Sequence, residues 1–277
     1  MRKSTIGGQA VMEGVMMKAP ASMAIAVRRS DGSIEVTKNA VTTVKDKYPI
    51  LKLPILRGIV TFAETMVLGV KSLMTSAELY GDEEEEYKPS RFETFLSDKL
   101  GKNIDDVIIT SAVVMAVVFA IGMFVFLPAL LSSLIRPWIP NNVAVNFLEG
   151  ILRLGIFLLY ITLVSRMKDI RRVFEYHGAE HKTIFCYEKR LPLTVENVRV
   201  QSRFHPRCGT SFLFVVIILG ILLGFLIQLD NTLARIALRL LLLPVLVGVA
   251  YELNRWIGRH DNAFTRALSA PGKWIQR

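Results

Sequence analysis

Long uncharged apolar runs dominate the second half of the chain, and shorter periodic patterns dominate the first. From Val107 to Ile135 no charge occurs over 29 positions, and from Cys208 to Leu229 none over 22. A helix needs about 20 apolar residues to cross a bilayer, so both runs predict spans. Two further apolar segments are less pure. One, from about Val143 to Ser165, carries Glu149 and Arg153; the other, from about Arg235 to Tyr251, carries Arg239. Glu149 and Arg153 stand four apart and share a helix face. An ion pair near the membrane edge is the expectation, ahead of a transport role in which buried charges line a path.

The first hundred residues read differently. Met23–Arg28 and Ile34–Val36 flank Ser30-Asp31-Gly32-Ser33, a turn in which Asp-Gly tolerates positive φ, so a hairpin is predicted over Met23–Val36. Val41–Val44 offers a further strand, and the whole is too short to hold a core alone. A helix is predicted from Pro54 to about Tyr80, proline suiting a first helical position. Its charges Arg57, Glu64, Lys71 and Glu78 recur every seven residues as one narrow polar stripe, and the rest of its surface is apolar. Such a helix packs in a bundle or lies on a bilayer, and charges along its whole length argue against a fifth span. The acidic run Asp82–Glu86 reads as a solvated linker.

Composition turns these patterns into a class. At 52% hydrophobic, 21% charged and a mean hydropathy of +0.40, the chain is neither disordered nor an ordinary soluble protein. Two cysteines make no disulfide framework, and the mixed, Gly-rich start shows no signal peptide. The net charge of +10 would suggest nucleic acid in a soluble protein. Here it reads as the Lys and Arg excess of cytoplasmic loops, and no nucleic acid is expected. Fifteen of the 34 Lys and Arg precede the first span, ten lie between the second and third, and five follow Glu252. The expectation is therefore a mainly α, polytopic protein of the cytoplasmic (inner) membrane. It has four transmembrane helices, a cytoplasmic amphipathic helix, a small N-terminal β element, and both termini in the cytoplasm. The organisation is a β-rich segment 1–48, the amphipathic helix and acidic linker 49–104, a four-span domain 105–256 with a cytoplasmic loop 166–209, and a tail 257–277.

Candidate chemistry sits in that loop. Three of the four histidines, His177, His181 and His205, fall within 29 residues. In Tyr176-His177-Gly178-Ala179-Glu180-His181-Lys182, a helix would project His177, Glu180 and His181 from one side. Two imidazoles at that spacing hold one metal ion, with a carboxylate close enough to act on a bound water. The string also fits the His-x-x-Glu-His zinc-protease pattern, although Gly178 weakens the helix. In His205-Pro206-Arg207-Cys208, histidine and cysteine stand three apart, a metal-ligand spacing that suits zinc or iron. Cys208 otherwise merely begins the third span, and Cys186 reads as packing. Glu252 is a further possible ligand. At the start, Gly7-Gly8-Gln9-Ala10-Val11-Met12-Glu13-Gly14 lacks the Gly and Lys spacing of a phosphate loop. Glu13 is either a surface carboxylate or buried against the metal loop.

Gly-Gly-Gln-Ala-Val-Met-Glu-Gly-Val-Met-Met, His-Gly-Ala-Glu-His-Lys-Thr, His-Pro-Arg-Cys-Gly-Thr-Ser and Tyr-Glu-Leu-x-Arg occur here in that order. Over essentially the whole chain this resembles the bacterial YqhQ-like membrane proteins, the family of domain of unknown function 1385. The resemblance implies a multi-span inner-membrane protein and a metal-dependent enzyme, with no reaction or substrate attached. It also implies an acidic tail beyond Ala270–Trp274, where this sequence stops at Arg277. Two functions follow as expectations. The first is a metal-dependent hydrolase at the cytoplasmic membrane face. A divalent metal, zinc, would sit on His177, His181 and one of His205, Cys208 or Glu252, with Glu180 as the base. Its substrate would be lipid-linked or membrane-anchored, and the nearby Lys and Arg favour an anionic lipid or substrate. The second is a non-catalytic membrane scaffold knit by a structural metal or a polar network. A transporter ranks third, for want of an inverted repeat.

Overall fold

The computed structural model describes residues 5–81, 94, 104–139, 141–205, 208–227, 229, 231–260 and 262–276. The acidic run and the Pro206-Arg207 pair lie outside them. The chain divides into two compact units. The first is Met1–Asp82, Ile161–Leu223 and Arg239–Arg277; the second is Glu83–Tyr160 and Gly224–Leu238.

The first unit opens with a four-stranded antiparallel meander: β1 (Gly7–Val11), β2 (Gly14–Lys18), β3 (Ser22–Arg28) and β4 (Ile34–Ala40). β3 and β4 are the hairpin that the Asp-Gly turn signals. Gly32 takes φ 85°, and Asp31 accepts from the Ser33 amide at 2.8 Å. The β1–β2 hairpin was not legible, because its turn is Met12-Glu13, with Val11 opposite Gly14 and Glu13 forced to φ 45°. The predicted strand at Val41–Val44 does not form. β4 ends at Ala40, and Val44 begins a short helix, α1 (Val44–Lys47), whose first amide is taken by Glu64 at 2.7 Å. Alternation puts Met16, Ile25 and Val27 on one buried face with Val11. That face is closed by Leu79 and Tyr80 at the end of α2 (Leu56–Tyr80), so the sheet takes its core from this helix.

Helix α2 buries small residues, Gly58, Gly69, Ser72 and Ser76, and exposes large ones, with Met66, Val67 and Leu73 at 51, 56 and 42%. Its buried side is thus for close approach and its apolar side faces outward. Two of its stripe charges are used within the unit. Arg57 forms a bidentate pair with Glu252 of the helix Thr232–Arg259, and Glu64 lies 3.7 Å from Lys45. The N-terminal end of α2 crosses Thr232–Arg259 at two glycines. A Cβ on Gly248 would stand 2.7 Å from the Ile55 carbonyl oxygen, and one on Gly58 would stand 2.9 Å from the Gly248 carbonyl oxygen.

The second unit contains α3 (Ile104–Ile121), a π turn at Gly122–Phe126, α4 (Leu127–Ile135) and most of α5 (Asn142–Val164). The π turn has a local cause. Pro128 cannot donate to Phe124, four residues back, and its ring crowds that carbonyl. The freed Phe124 oxygen accepts from Arg153 Nε at 2.9 Å. Arg153 also meets Glu149 at 3.1 Å, so the predicted pair forms, and Glu149 is buried at 1% exposure.

Back in the first unit come α6 (Lys168–Glu188), α7 (Val195–Arg199), most of α8 (Gly209–Leu226), the later part of α9 (Thr232–Arg259) and α10 (Ala263–Ile275). Val215, Ala250 and Ile257 form a core with Phe212, Leu253 and Leu268. By length and composition five helices can cross a membrane: Leu56–Tyr80, Val107–Trp138, Asn142–Val164, Gly209–Leu226 and Thr232–Arg259. Sequence composition predicts four, and the fifth is α2, whose regular charges had kept it out.

The glycine crossing yields a direct test. Gly248→Ala should lower the thermal unfolding temperature of the purified protein, by an overpacking cost of about 1–3 kcal/mol. Gly155→Ala, whose Cβ would meet nothing within 4 Å, should not. Equal behaviour of the two variants would show that the crossing is loose.

Candidate functional site

The site is built on α6, which runs unbroken through Gly178; the nearest atom to a Cβ there would be Arg203 Cβ at 3.9 Å. The 3.6-residue period brings His177, Glu180 and His181 to one side. Glu180 and His181 are 3% and 2% exposed. The Glu180 Oε2 atom lies 3.8 Å from His177 Nδ1 and 3.7 Å from His181 Nε2, so one carboxylate oxygen faces both rings. The ring centroids are 4.3 Å apart.

The segment after α6 supplies the rest. It is folded by α7, whose cap Thr194 accepts from the Asn197 amide, and by Gln201, which accepts from Lys189 Nζ at 2.7 Å. This places the Arg203 carbonyl 2.5 Å from His181 Nδ1. Nδ1 therefore donates, and the lone pair of His181 is on Nε2, the side facing the cluster. Cys208 Sγ lies 3.0 Å from His177 Nε2 and accepts from the Thr210 hydroxyl at 3.3 Å. One donor atom from each of His177, His181 and Cys208 lies within 4.8 Å of the others. Among the described residues these three form the group able to hold a metal ion.

His205 is close but outside that group. Its ring centroid is 5.5 Å from that of His181 and 4.9 Å from that of Phe185. Its backbone is clamped by Gln276, which accepts from the His205 amide at 2.8 Å and donates to its carbonyl at 3.1 Å. Glu252 is occupied with Arg57 and is likewise outside the group. Cys186 is fully buried, with its sulfur 3.5 Å from the Pro192 carbonyl.

Burial governs the electrostatics. It pushes His177 down to about 4, assisted by the charge of His181, so the ring is neutral and free to ligate at pH 7. It lowers His181 as well, against the pull of the Arg203 carbonyl. It raises Glu180 to about 7 and lifts the Cys208 thiol, which the Thr210 hydrogen bonds oppose.

The N-terminal sheet lies over this group. A side chain at Gly8 would collide with the Glu180 carboxyl group, its Cβ reaching 2.5 Å from Glu180 Cγ. Only a bare backbone fits there. One turn earlier on α6, Arg172 holds Glu13 through Nε at 2.7 Å and Nη2 at 2.9 Å, and the Tyr176 hydroxyl donates to Glu13 at 3.0 Å. Glu13 is thus pinned to the motif helix. Arg172, Tyr176, Arg203 and Gln276 were not singled out in the sequence. The Arg172–Tyr176 spacing of four was the one available signal, whereas nothing local marks Gln276.

Arg172 holds the Glu13 carboxyl below its ordinary 4.5. A lowered folded-state value stabilises above the ordinary carboxylate range and is lost as pH falls through the folded value. Glu13→Gln should therefore lower the unfolding temperature at neutral pH, by on the order of 0.5–1 kcal/mol for a half-exposed pair. Variant and wild type should converge as the buffer is acidified. A gap that persists undiminished at about pH 3 would assign the effect to something other than this charge pair.

Residues 53–277 match the family described as "Protein of unknown function (DUF1385)". Over 273 residues the chain is 38% identical to "Uncharacterized protein YqhQ" of Bacillus subtilis (strain 168), covering 98% of this chain and 84% of that relative. No solved structure matches. With the family matched over most of its length and a near full-length relative at that identity, the chain belongs to the DUF1385 family.

Proposed function

We propose that the chain is a four-span protein of the cytoplasmic membrane with a metal-dependent hydrolase site at its cytoplasmic face. His177, His181 and Cys208 are the ligands, zinc the ion, Glu180 the acid–base residue, and a lipid-linked or membrane-anchored molecule the substrate. One observation carries this reading. Two segments 31 residues apart bring two imidazoles and a thiol together, beside the buried Glu180 carboxylate that faces both rings. The donor set fits a borderline-soft divalent ion such as zinc, which His177, His181 and Cys208 would hold. When bound, such an ion supplies Lewis-acid activation. The chain supplies the rest. The Arg203 carbonyl fixes the His181 tautomer, Glu180 exchanges a proton beside the ligands, and Gly8 limits access of water.

The span count rests on how α2 is covered. Gln9 Nε2 donates to the Gly69 carbonyl at 3.5 Å, and the Met12 amide donates to the Ser76 hydroxyl at 3.1 Å. A helix whose C-terminal part, Gly69 to Tyr80, carries a sheet with open edges and charged strands fits hydrocarbon poorly, where exposed strand edges are not tolerated. Its apolar side, carrying Met66 and Val67, then lies at the head groups. Four spans put both termini on the Lys- and Arg-rich side.

Burial of Glu180 and His181 favours a second reading, a structural metal that knits the loop to the helices of a scaffold. Metal analysis of the purified protein separates the possibilities. The hydrolase reading expects about one zinc per chain, reduced at least about tenfold by His181→Ala or Cys208→Ser. Glu180→Gln should keep the metal and fail to restore a strain lacking the protein. A Glu180→Gln chain that restores it leaves the structural metal, and a wild-type chain without metal removes both metal readings. For topology, reporters fused after Asn141 and Asn231 should lie outside the cytoplasm and one after Thr43 inside. A cytoplasmic signal at Asn141 or Asn231 would break the four-span arrangement.

A further inference from the structure

Helix α10 leaves α9 through a turn fixed by its own cap. Asn262 accepts from the Thr265 amide at 2.9 Å, and the Thr265 hydroxyl accepts from the Asn262 amide at 3.0 Å and donates to the His260 carbonyl at 3.1 Å. The helix then shows two opposite rows. Thr265, Ser269 and Gly272 recur at i, i+4 and i+7 and are buried, and Gln276 continues their row. Gly272 closes that row on α8, since a Cβ there would stand 2.6 Å from Ser211 Cα. Phe264, Ala267, Pro271 and Trp274 recur at i, i+3, i+7 and i+10 on the other side, with Phe264 62% and Trp274 60% exposed.

The place of α10 in the chain says what the outward row meets. α9 is long and apolar enough to cross a membrane and ends at Arg259, so α10 starts where such a span reaches the surface. Trp256, near that end, packs edge-on against Phe264 with ring centroids 6.1 Å apart. Exposed aromatic rings at the end of a span suit the boundary between hydrocarbon and water. From Arg255 onward the sequence holds five basic residues, Arg255, Arg259, Arg266, Lys273 and Arg277, against Asp261 alone. That balance matches an anionic lipid surface, on which a helix with an aromatic side and basic flanks lies flat. The inner row reaches the reactive cluster. Gln276 accepts from the His205 amide at 2.8 Å and donates to the His205 carbonyl at 3.1 Å and to the Thr210 and Ser211 hydroxyls at 3.4 Å. One side-chain amide thus ties both flanks of Cys208, whose sulfur stands 3.0 Å from His177 Nε2. We propose that α10 is a membrane-surface helix whose outward row binds a bilayer carrying anionic phospholipid, and that this seating holds Cys208 at His177 through Gln276. The proposal rests on the reading of α9 as a span and is independent of any metal.

The test uses the full chain reconstituted in phosphatidylcholine vesicles with or without phosphatidylglycerol, in buffer containing a metal chelator. Two single-tryptophan chains are compared, one keeping Trp256 (Trp138→Phe, Trp274→Phe) and one keeping Trp274 (Trp138→Phe, Trp256→Phe). A lipid spin-labelled near the head group should quench both, and acrylamide in the water should reach Trp274 less when phosphatidylglycerol is present. In the wild-type chain the reaction of each cysteine with N-ethylmaleimide is followed by peptide mass spectrometry. Phosphatidylglycerol should slow Cys208 at least about fivefold, the shift that one basic residue at a charged surface supplies, and should leave Cys186 unaffected. Gln276→Ala should abolish the slowing at Cys208, and Lys273→Gln should reduce it. If the lipid label quenches neither tryptophan, α9 is not a span and the proposal falls with it. Quenching of Trp256 without Trp274 keeps the span and overturns the proposal alone. A Cys208 rate indifferent to phosphatidylglycerol, equal slowing at Cys186, or slowing that survives Gln276→Ala also overturns it. Should Gln276→Ala not fold, Lys273→Gln decides: reduced slowing supports the proposal, and unchanged slowing overturns it.

Discussion

A bare stretch of backbone at Gly8 lies against a buried carboxyl group at Glu180, and much of the first unit is arranged around that approach. The sheet comes this near α6 because β1 offers no side chain at the crossing. It is held in place by the Glu13 hinge, where Arg172 and Tyr176 grip a residue bent to positive φ. A non-glycine residue in that backbone region costs of order 1 kcal/mol or more, and it persists where surrounding contacts over-determine it. Removing water from Glu180 is what raises its proton affinity toward neutrality, so packing and the electrostatics of the cluster are one effect.

The motif helix is fixed from its other side by chain that carries no chemistry of its own. Lys189, Gln201 and Thr194 fold the short segment that delivers the Arg203 carbonyl to His181, and that bond decides which nitrogen is available. Gln276, at the far end of the chain, secures the backbone of His205 just before Cys208. Gly272 packs against Ser211 two residues into α8, which keeps α10 on the same corner. The outer partners are thus as specific as the donors they orient.

The second unit solves a different problem, polar groups within apolar helices. Pro128 frees a carbonyl, Arg153 caps it, and Glu149 balances Arg153. Each element answers the one before, as expected where no water can stand in. Arg235 is the member that this chain of compensation does not complete through hydrogen bonds.

Much of the architecture was legible in one dimension. Uncharged runs and the Lys and Arg distribution mark the apolar helices, because length and charge in a bilayer are local properties of sequence. The Asp31-Gly32 turn, the helix through Tyr80 and the i, i+3, i+4 grouping of His177, Glu180 and His181 are short-range too. What required the tertiary structure was every pairing across distance. The β1–β2 hairpin has no local sequence signal because Met12-Glu13 is not a turn sequence; Glu13 is held there by Arg172. That Cys208, rather than His205 or Glu252, lies with His177 and His181 is decided by tertiary packing, in which Gln276 clamps the His205 backbone and Arg57 pairs with Glu252. The strand at Val41–Val44 lost to a helix end whose amide Glu64 claims. The placement of α2 is ambiguous by composition, since its apolar surface suits either a span or a bilayer face, and its contacts with the sheet at Gly69 and Ser76 arise only in the folded chain. Periodicity records which residues share a face; only packing determines what that face meets.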